Sequence, residues 1–218
     1  VLETARGGIL RAGLGFSRCD IAIITNIQED HLGLSDIHTL EDLARVKSVV
    51  VRSVKKEGWA ILNAEDEHCL RIANELSCNI AYFSLNEDNP KVKQFAKEGK
   101  IVAVYENGYI TIKKGEWKIR VERATHVPLT LGGKAKFMIA NVLAASLASY
   151  LYGFKTDDIS LSLQTFIPSA AQTPGRMNIF DFKKFKVLID FAHNPAGYRG
   201  VEDYLSSVEA TKKIGIIA

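Results

Sequence analysis

The sequence predicts an α/β fold: a mostly parallel sheet flanked by helices, with a small antiparallel sub-sheet and the start of a second α/β unit. Three observations lead there. The runs 20–27 (DIAIITNI) and 59–63 (WAILN) have the unbroken hydrophobicity of strands buried on both faces. A helical pattern lies between them, which makes strand–helix–strand order. Residues 100–131 then alternate apolar and polar side chains, the period of antiparallel strands.

Taken in order, Val1-Leu2-Glu3 read as the end of a buried strand, and 20–27 as the next one. Residues 39–57 read as a helix: Thr39 and Asp42 have capping-box spacing, and Gly58 follows the last turn. Asn107-Gly108 signals a type I′ hairpin turn, and Lys114-Gly115 marks a second turn. Residues 135–152 return to helix, with Gly153 after it. Residues 168–176 (PSAAQTPGR) combine two prolines with small polar residues and read as an interdomain linker. Strands at 177–182 and 186–191, a helix from about 196 and a strand over 213–218 complete a β-β-α-β start of a second unit. The expected division is 1–174 and 175–218, and both ends fall inside strand patterns, which predicts an internal fragment.

Composition narrows the function classes. The chain has 218 residues, of which 47% are hydrophobic and 24% charged, enough apolar surface for a real core. A net charge of +3, with no basic run longer than pairs such as Lys55-Lys56 and Lys183-Lys184, argues against a nucleic-acid partner. The three cysteines, Cys19, Cys69 and Cys78, have no CxxC spacing and suit a reducing compartment. No apolar run approaches a membrane span and no signal peptide is recognisable, so the expected location is the cytoplasm.

In a parallel sheet, ligands gather at the carboxyl ends of strands. Glu3 closes the first strand and His31 lies just past the second, in Thr25-Asn26-Ile27-Gln28-Glu29-Asp30-His31. Such a pair could share Mg²⁺ with water filling the other positions; the alternative is an ordinary surface histidine. Lys47 shares a helix face with Leu40, Leu43, Val50, Val51 and Val54. An ammonium there either snorkels to water or is paired or chemically altered. Asp190 ends a strand and opens Asp190-Phe191-Ala192-His193-Asn194-Pro195-Ala196-Gly197, a loop entering a helix and suited to a phosphate or ribose group, or simply a turn. Asn141 lies within the helix 135–152 and is by default a polar face residue. No GxxxxGK[ST] phosphate loop occurs, and Gly132-Gly133-Lys134 lacks the spacing.

These elements, in this order, resemble the Mur ligase superfamily over essentially the whole chain. Glu3-Thr4-Ala5-Arg6-Gly7-Gly8-Ile9-Leu10-Arg11 is similar to the strand-end Glu motif in the cyanophycin synthetase branch of that superfamily. Thr25-Asn26-Ile27 with Asp30-His31-Leu32-Gly33, then Gly175-Arg176-Met177 and the Asp190–Gly197 loop, carry the rest of the resemblance. It implies that Glu3 and His31 are ligands of a Mg²⁺ ion near the reacting carboxylate, that His31 counts with Lys47 as catalytic, and that Lys47 is carbamylated. It implies that Asn141 contacts adenine, that Arg176 and Asp190 hold the phosphates and ribose of ATP, and that His193 acts in the same loop. Where several Mur ligases have a His-Asn pair before this Asn, Phe137-Met138 stands here.

The implied activity is ATP-dependent amide formation through an acyl phosphate. The implied substrates are an acidic peptide or cyanophycin chain and an amino acid, arginine by resemblance. An upstream ATP-grasp domain and a homo-oligomer are implied as partners. The chain alone, lacking a phosphate loop, is expected to be inactive. The alternatives are another Mur-type ligase, of cell-wall or polyglutamate type, and a non-catalytic Mur-like binding module.

Overall fold

A computed structural model of the chain describes residues 1–29, 33 and 37–217. The elements are α1 (Arg6–Ala12), β1 (Cys19–Ile24), α2 (Leu40–Arg52), β2 (Val54–Asn63), α3 (Glu67–Ala73), β3 (Asn79–Ser84) and α4 (Pro90–Lys97). They continue with β4 (Ile101–Glu106), β5 (Tyr109–Lys114), β6 (Trp117–Arg123), α5 (Lys136–Tyr152), α6 (Thr156–Thr165), β7 (Asn178–Asp181), β8 (Lys186–Ile189) and α7 (Pro195–Ser206).

Among the described residues, β1 to β6 form one six-stranded sheet in sequence order. The first four strands run parallel, and β4–β5–β6 are antiparallel. The α/β reading therefore holds, and the antiparallel strands extend the parallel sheet through β4. Alternating side chains seal two cores. Ala60, Leu62, Tyr82, Val102 and Val104 face one side with α2, α3 and α4. Ile61, Ala81, Phe83 and Ala103 face the other with α5 and α6. That two-sided burial is why β2 and β3 read as nearly unbroken apolar runs.

Local chemistry sets the element ends. At the start of α2, Thr39 Oγ1 accepts from Asp42 N at 3.1 Å and Asp42 Oδ2 accepts from Thr39 N at 3.1 Å, the expected capping box. Bonds from the Thr39 side chain and the His38 and Thr39 amides hold the Asp42 carboxyl below its usual range. In the β4–β5 turn Asn107 and Gly108 both take positive φ, 50° and 84°, as type I′ requires. α5 ends at Gly153, at φ 104°.

Four expectations on elements need correction. Val1-Leu2-Glu3 are not a strand: residues 1–5 carry no ladder, and Val1 and Leu2 are exposed. Extended chain becomes a strand only when a neighbour pairs with it. The helix expected over 39–57 stops at Arg52, because Cys19 N bonds to Ser53 O and starts the β1–β2 pairing. Gly58 consequently lies inside β2, where a Cβ would stand 2.3 Å from the Asp20 carbonyl oxygen at the irregular register between β1 and β2. The strand expected over 213–218 is not formed in the described part: Ile214, Ile216 and Ile217 are exposed with no neighbouring strand. No sequence pattern marked residues 64–99, which hold α3, β3 and α4; helices of 7 and 8 residues are too short for a periodic signal.

β7 and β8 form a separate two-stranded antiparallel hairpin, followed by α7. This unit meets α5 through a small apolar cluster containing Ala135, Met138, Met177 and Tyr204. The helices approach closely: a Cβ on Gly200 of α7 would lie 3.0 Å from the Phe137 ring of α5. Among the described residues no helix is long and apolar enough to cross a membrane.

Candidate functional site

The carboxyl edge of β1 and β2 carries a tight polar network. Lys47 lies within the buried arc of α2 formed by Leu43, Ala44, Ser48 and Val51. Side chains on a helix lean toward its N-terminus, and here that direction is the carboxyl edge of the sheet. Lys47 is half-buried, and its Nζ donates to the Asn26 carbonyl at 3.1 Å, just beyond β1. Two other side chains grip the same stretch. Asn63 Nδ2, at the end of β2, donates to the Thr25 carbonyl at 3.0 Å. Asp66 Oδ2 accepts from Ile27 N at 2.6 Å, while its Oδ1 caps α3 by accepting from Cys69 N at 3.0 Å.

The neighbouring strand end is held in the same manner. Glu65 Oε1 accepts from Ser84 Oγ at 2.6 Å and from the Leu85 and Asn86 amides at 2.6 and 3.1 Å. Below the network, burial pushes the Cys69 thiol up to about 12, so it is a protonated, unreactive thiol at neutral pH. Sequence reasoning did not single out Asn63, Glu65 or Asp66. The signal was available: the apolar run 59–63 (WAILN) gives way at once to Asn63-Ala64-Glu65-Asp66, polar groups at a strand's carboxyl end.

The two residues expected to hold Mg²⁺ do not form a described pair. Glu3 is exposed in the segment before α1, a helix that contacts α2. His31 lies outside the described residues. Among the described residues no three His, Cys, Asp or Glu gather as a metal cage would need.

Arg176, Asp190 and His193 meet at a second location, where two loops lie side by side at the start of α7. Asp190 Oδ2 accepts from Met177 N at 2.9 Å, and Phe191 N donates to the Gly175 carbonyl at 2.7 Å. The Arg176 guanidinium lies over the Phe191 ring at 5.6 Å, and the Phe191 and His193 rings are 5.3 Å apart. His193 Nδ1 bonds to the Phe191 carbonyl at 2.9 Å, which requires the proton on Nδ1. Met177 takes φ 50°, and Asn178 Oδ1 accepts from Gly175 N at 2.8 Å, so the turn is held by side chains as well as backbone. A guanidinium, a carboxylate and an imidazole on a short loop pair suit an anionic or hydroxylated ligand.

Asn141 is exposed on α5, with Nδ2 3.9 Å from Met138 Sδ. It borders a groove of about 610 Å³ between α5 and α6, together with Ser146, Ser149, Phe154, Asp158 and Phe166. The Ser146 hydroxyl is buried there without a hydrogen-bond partner among the described residues.

Residues 1–149 match the family model described as the Mur ligase middle domain. A cyanophycin synthetase of Synechocystis sp. is 50% identical over 95% of this chain and 24% of its own length. Another, from Trichormus variabilis, is 48% identical over 100% of the chain and again 24% of its own length. The chain thus spans about a quarter of the length of these relatives. A crystal structure of MurF from Acinetobacter baumannii has the same fold, with a TM-score of 0.63 at 19% identity, covering 87% of this chain and 38% of that one. On the family match, which runs from α1 into α5 and takes in the clamped strand edge, the chain belongs to the Mur ligase middle-domain family.

Proposed function

We propose that the protein carrying this chain is an ATP-dependent acid–amino-acid ligase that joins arginine to the aspartate side chains of a cyanophycin polymer. The observation that carries this reading is the near-half identity to cyanophycin synthetases along the whole chain. In the reaction a substrate carboxylate oxygen attacks the γ-phosphorus of ATP and ADP leaves. The incoming amine attacks the resulting acyl phosphate, phosphate departs, and the amine proton passes to solvent.

The residues divide this work by location. Lys47 is assigned to the catalytic edge. Addition of CO₂ to its uncharged Nζ would form an N–C bond, release a proton and turn the head into an anion. One N–H would remain, and that is all the Asn26 carbonyl requires. Arg176, Asp190 and His193, in a second domain beginning at 175, are assigned to the nucleotide together with Asn141 of the first. Glu3 and His31 remain assigned to Mg²⁺ on resemblance, and no step is derived through that ion. An upstream ATP-grasp domain, a homo-oligomer and a cytoplasmic location belong to the same reading.

The test is ligation by the intact protein supplied with Mg-ATP, an aspartate-backbone primer and arginine. One phosphate should appear per arginine joined, and Lys47→Ala should lower kcat by roughly a hundredfold or more, with partial rescue by a small carboxylic acid. Phosphate release that ignores arginine would sink the substrate assignment. The 218-residue chain alone is expected to be inactive and to bind Mg-ATP weakly, and a low-micromolar Kd by calorimetry would overturn that expectation.

A further inference from the structure

We propose that Asp66 and Asn63 are positioning residues that act on Lys47 through the backbone of Thr25-Asn26-Ile27. The inference rests on the catalytic assignment of Lys47 above. A lysine head on four rotatable bonds is poorly placed by itself, because ordering such a side chain costs rotamer entropy. Its position depends on how firmly its acceptors are held, and one of them is the Asn26 carbonyl, at 3.1 Å.

The Asn26 carbonyl and the Ile27 N–H belong to one planar peptide unit. Asp66 Oδ2 holds the N–H side of that unit at 2.6 Å while Lys47 occupies the carbonyl side. A carboxylate on the N–H pushes electron density toward the carbonyl oxygen, so it both orients and strengthens the acceptor. The preceding peptide is held independently, by Asn63 Nδ2 on the Thr25 carbonyl at 3.0 Å. The two clamps come from the end of β2 and the cap of α3, so they tie the Lys47 acceptor to the sheet rather than to its own loop. Asp66 reaches 39 positions along the chain and Asn63 reaches 38. Neither bond follows from local turn chemistry.

The two functions of Asp66 can be separated. Asp66→Ser retains a hydroxyl able to cap Cys69 N but has no second oxygen for Ile27 N. Amide exchange in the 218-residue chain should then rise roughly tenfold or more at Ile27 and stay unchanged at Cys69, the exchange of one freed hydrogen bond. In the intact protein the same variant should lower kcat about tenfold while KM for ATP and for the amino acid stays within about twofold, because a misplaced head impairs the chemical step and not binding. Asn63→Ala, which keeps the Asp66 side chain that caps α3 but also frees the Glu65 amide from Asn63 Oδ1 at 2.9 Å, should lower kcat about threefold with the same unchanged KM. Unchanged exchange at Ile27 would overturn the clamp. Faster exchange at Ile27 with wild-type kcat would overturn the positioning role. Failure of the underlying assignment looks different: Lys47→Ala would then turn over like wild type, whatever Asp66→Ser does.

Discussion

The six-stranded sheet and the β7–β8–α7 unit are built on opposite terms. The sheet closes two cores of its own, with Leu43, Ile61, Leu62, Phe83, Ile110 and Leu143 all nearly inaccessible. The C-terminal unit has a four-residue buried cluster that borrows Ala135 and Met138 from α5. Its hairpin leaves Phe180, Phe182, Phe185, Val187 and Ile189 exposed. A two-stranded hairpin without a covered face is marginal on its own, so its stability is the stability of its docking. The contrast carries over to the proposed site residues: Lys47 is aimed from the sheet edge, whereas Arg176, Asp190 and His193 ride on loops backed by a small cluster, which is expected to open locally at lower cost.

This contrast can be broken at four points. The largest effect is expected in the sheet. Phe83 is 1% exposed, and Phe83→Ala should cost about 4 kcal/mol in urea unfolding followed by the fluorescence of Trp59 and Trp117. A loss under about 1 kcal/mol would mean that this core is not tightly packed. Gly58→Ala comes next. Its Cβ would overlap the Asp20 carbonyl oxygen at 2.3 Å, backbone that cannot rotate away, and a loss of about 3 kcal/mol is expected from the same unfolding curves. A neutral result would show that β1 and β2 separate freely at that register.

Glu122 sharpens the comparison by asking what holds α6 to β6. It is 9% exposed and accepts from Ser160 Oγ at 2.7 Å, from Gln164 Nε2, from Arg123 N at 2.7 Å and from His126 at 3.0 Å. Glu122→Ala should cost about 2 kcal/mol, since it strands the Ser160 and Gln164 donors. Burial alone would raise this carboxyl's pKa, but the four hydrogen bonds outweigh it and hold the group below its ordinary 4.5. Such a group contributes stability that is fully present above pH 4.5 and is lost as pH falls through the lower folded value. Glu122→Gln should therefore flatten the stability–pH curve below pH 4.5, and an unaltered acid slope would refute the linkage.

The smallest effect is expected at the joint between the two regions. A valine at position 200 would press on the Phe137 ring, only 3.0 Å from the Gly200 Cβ position. Gly200→Val should cost about 1 kcal/mol and raise amide exchange several-fold in β7, β8 and α7, with β1 to β4 unchanged. Equal acceleration in both regions would mean that they unfold as one cooperative unit.

Legibility differed along the same line. The Thr39–Asp42 capping box, the Asn107-Gly108 turn and the helix ending at Gly153 were readable because each is set by chemistry within a few residues. The end of α2 at Arg52 was not, because the competing interaction is Cys19 N on Ser53 O, 34 positions apart. The candidate site divides similarly. Asp190 was singled out from its strand-end loop and Arg176 from resemblance alone, and both lie in the loop pair beside α7. Asp66 was invisible as anything more than one of several carboxylates, since its partner is a backbone amide in another strand end.

The sequence by itself determined the two-faced burial of the central strands, the turn types, the helix caps and the family. Those depend on hydrophobic period, on φ preferences and on motifs a few residues long. Tertiary structure alone decided that Val1 to Glu3 remain unpaired, that Gly58 sits under a carbonyl, and that Lys47, Asn63 and Asp66 converge on three consecutive residues. The reason is that strand pairing and the aim of a long side chain depend on which distant backbone arrives alongside, and sheet packing settles that only when the whole domain has closed.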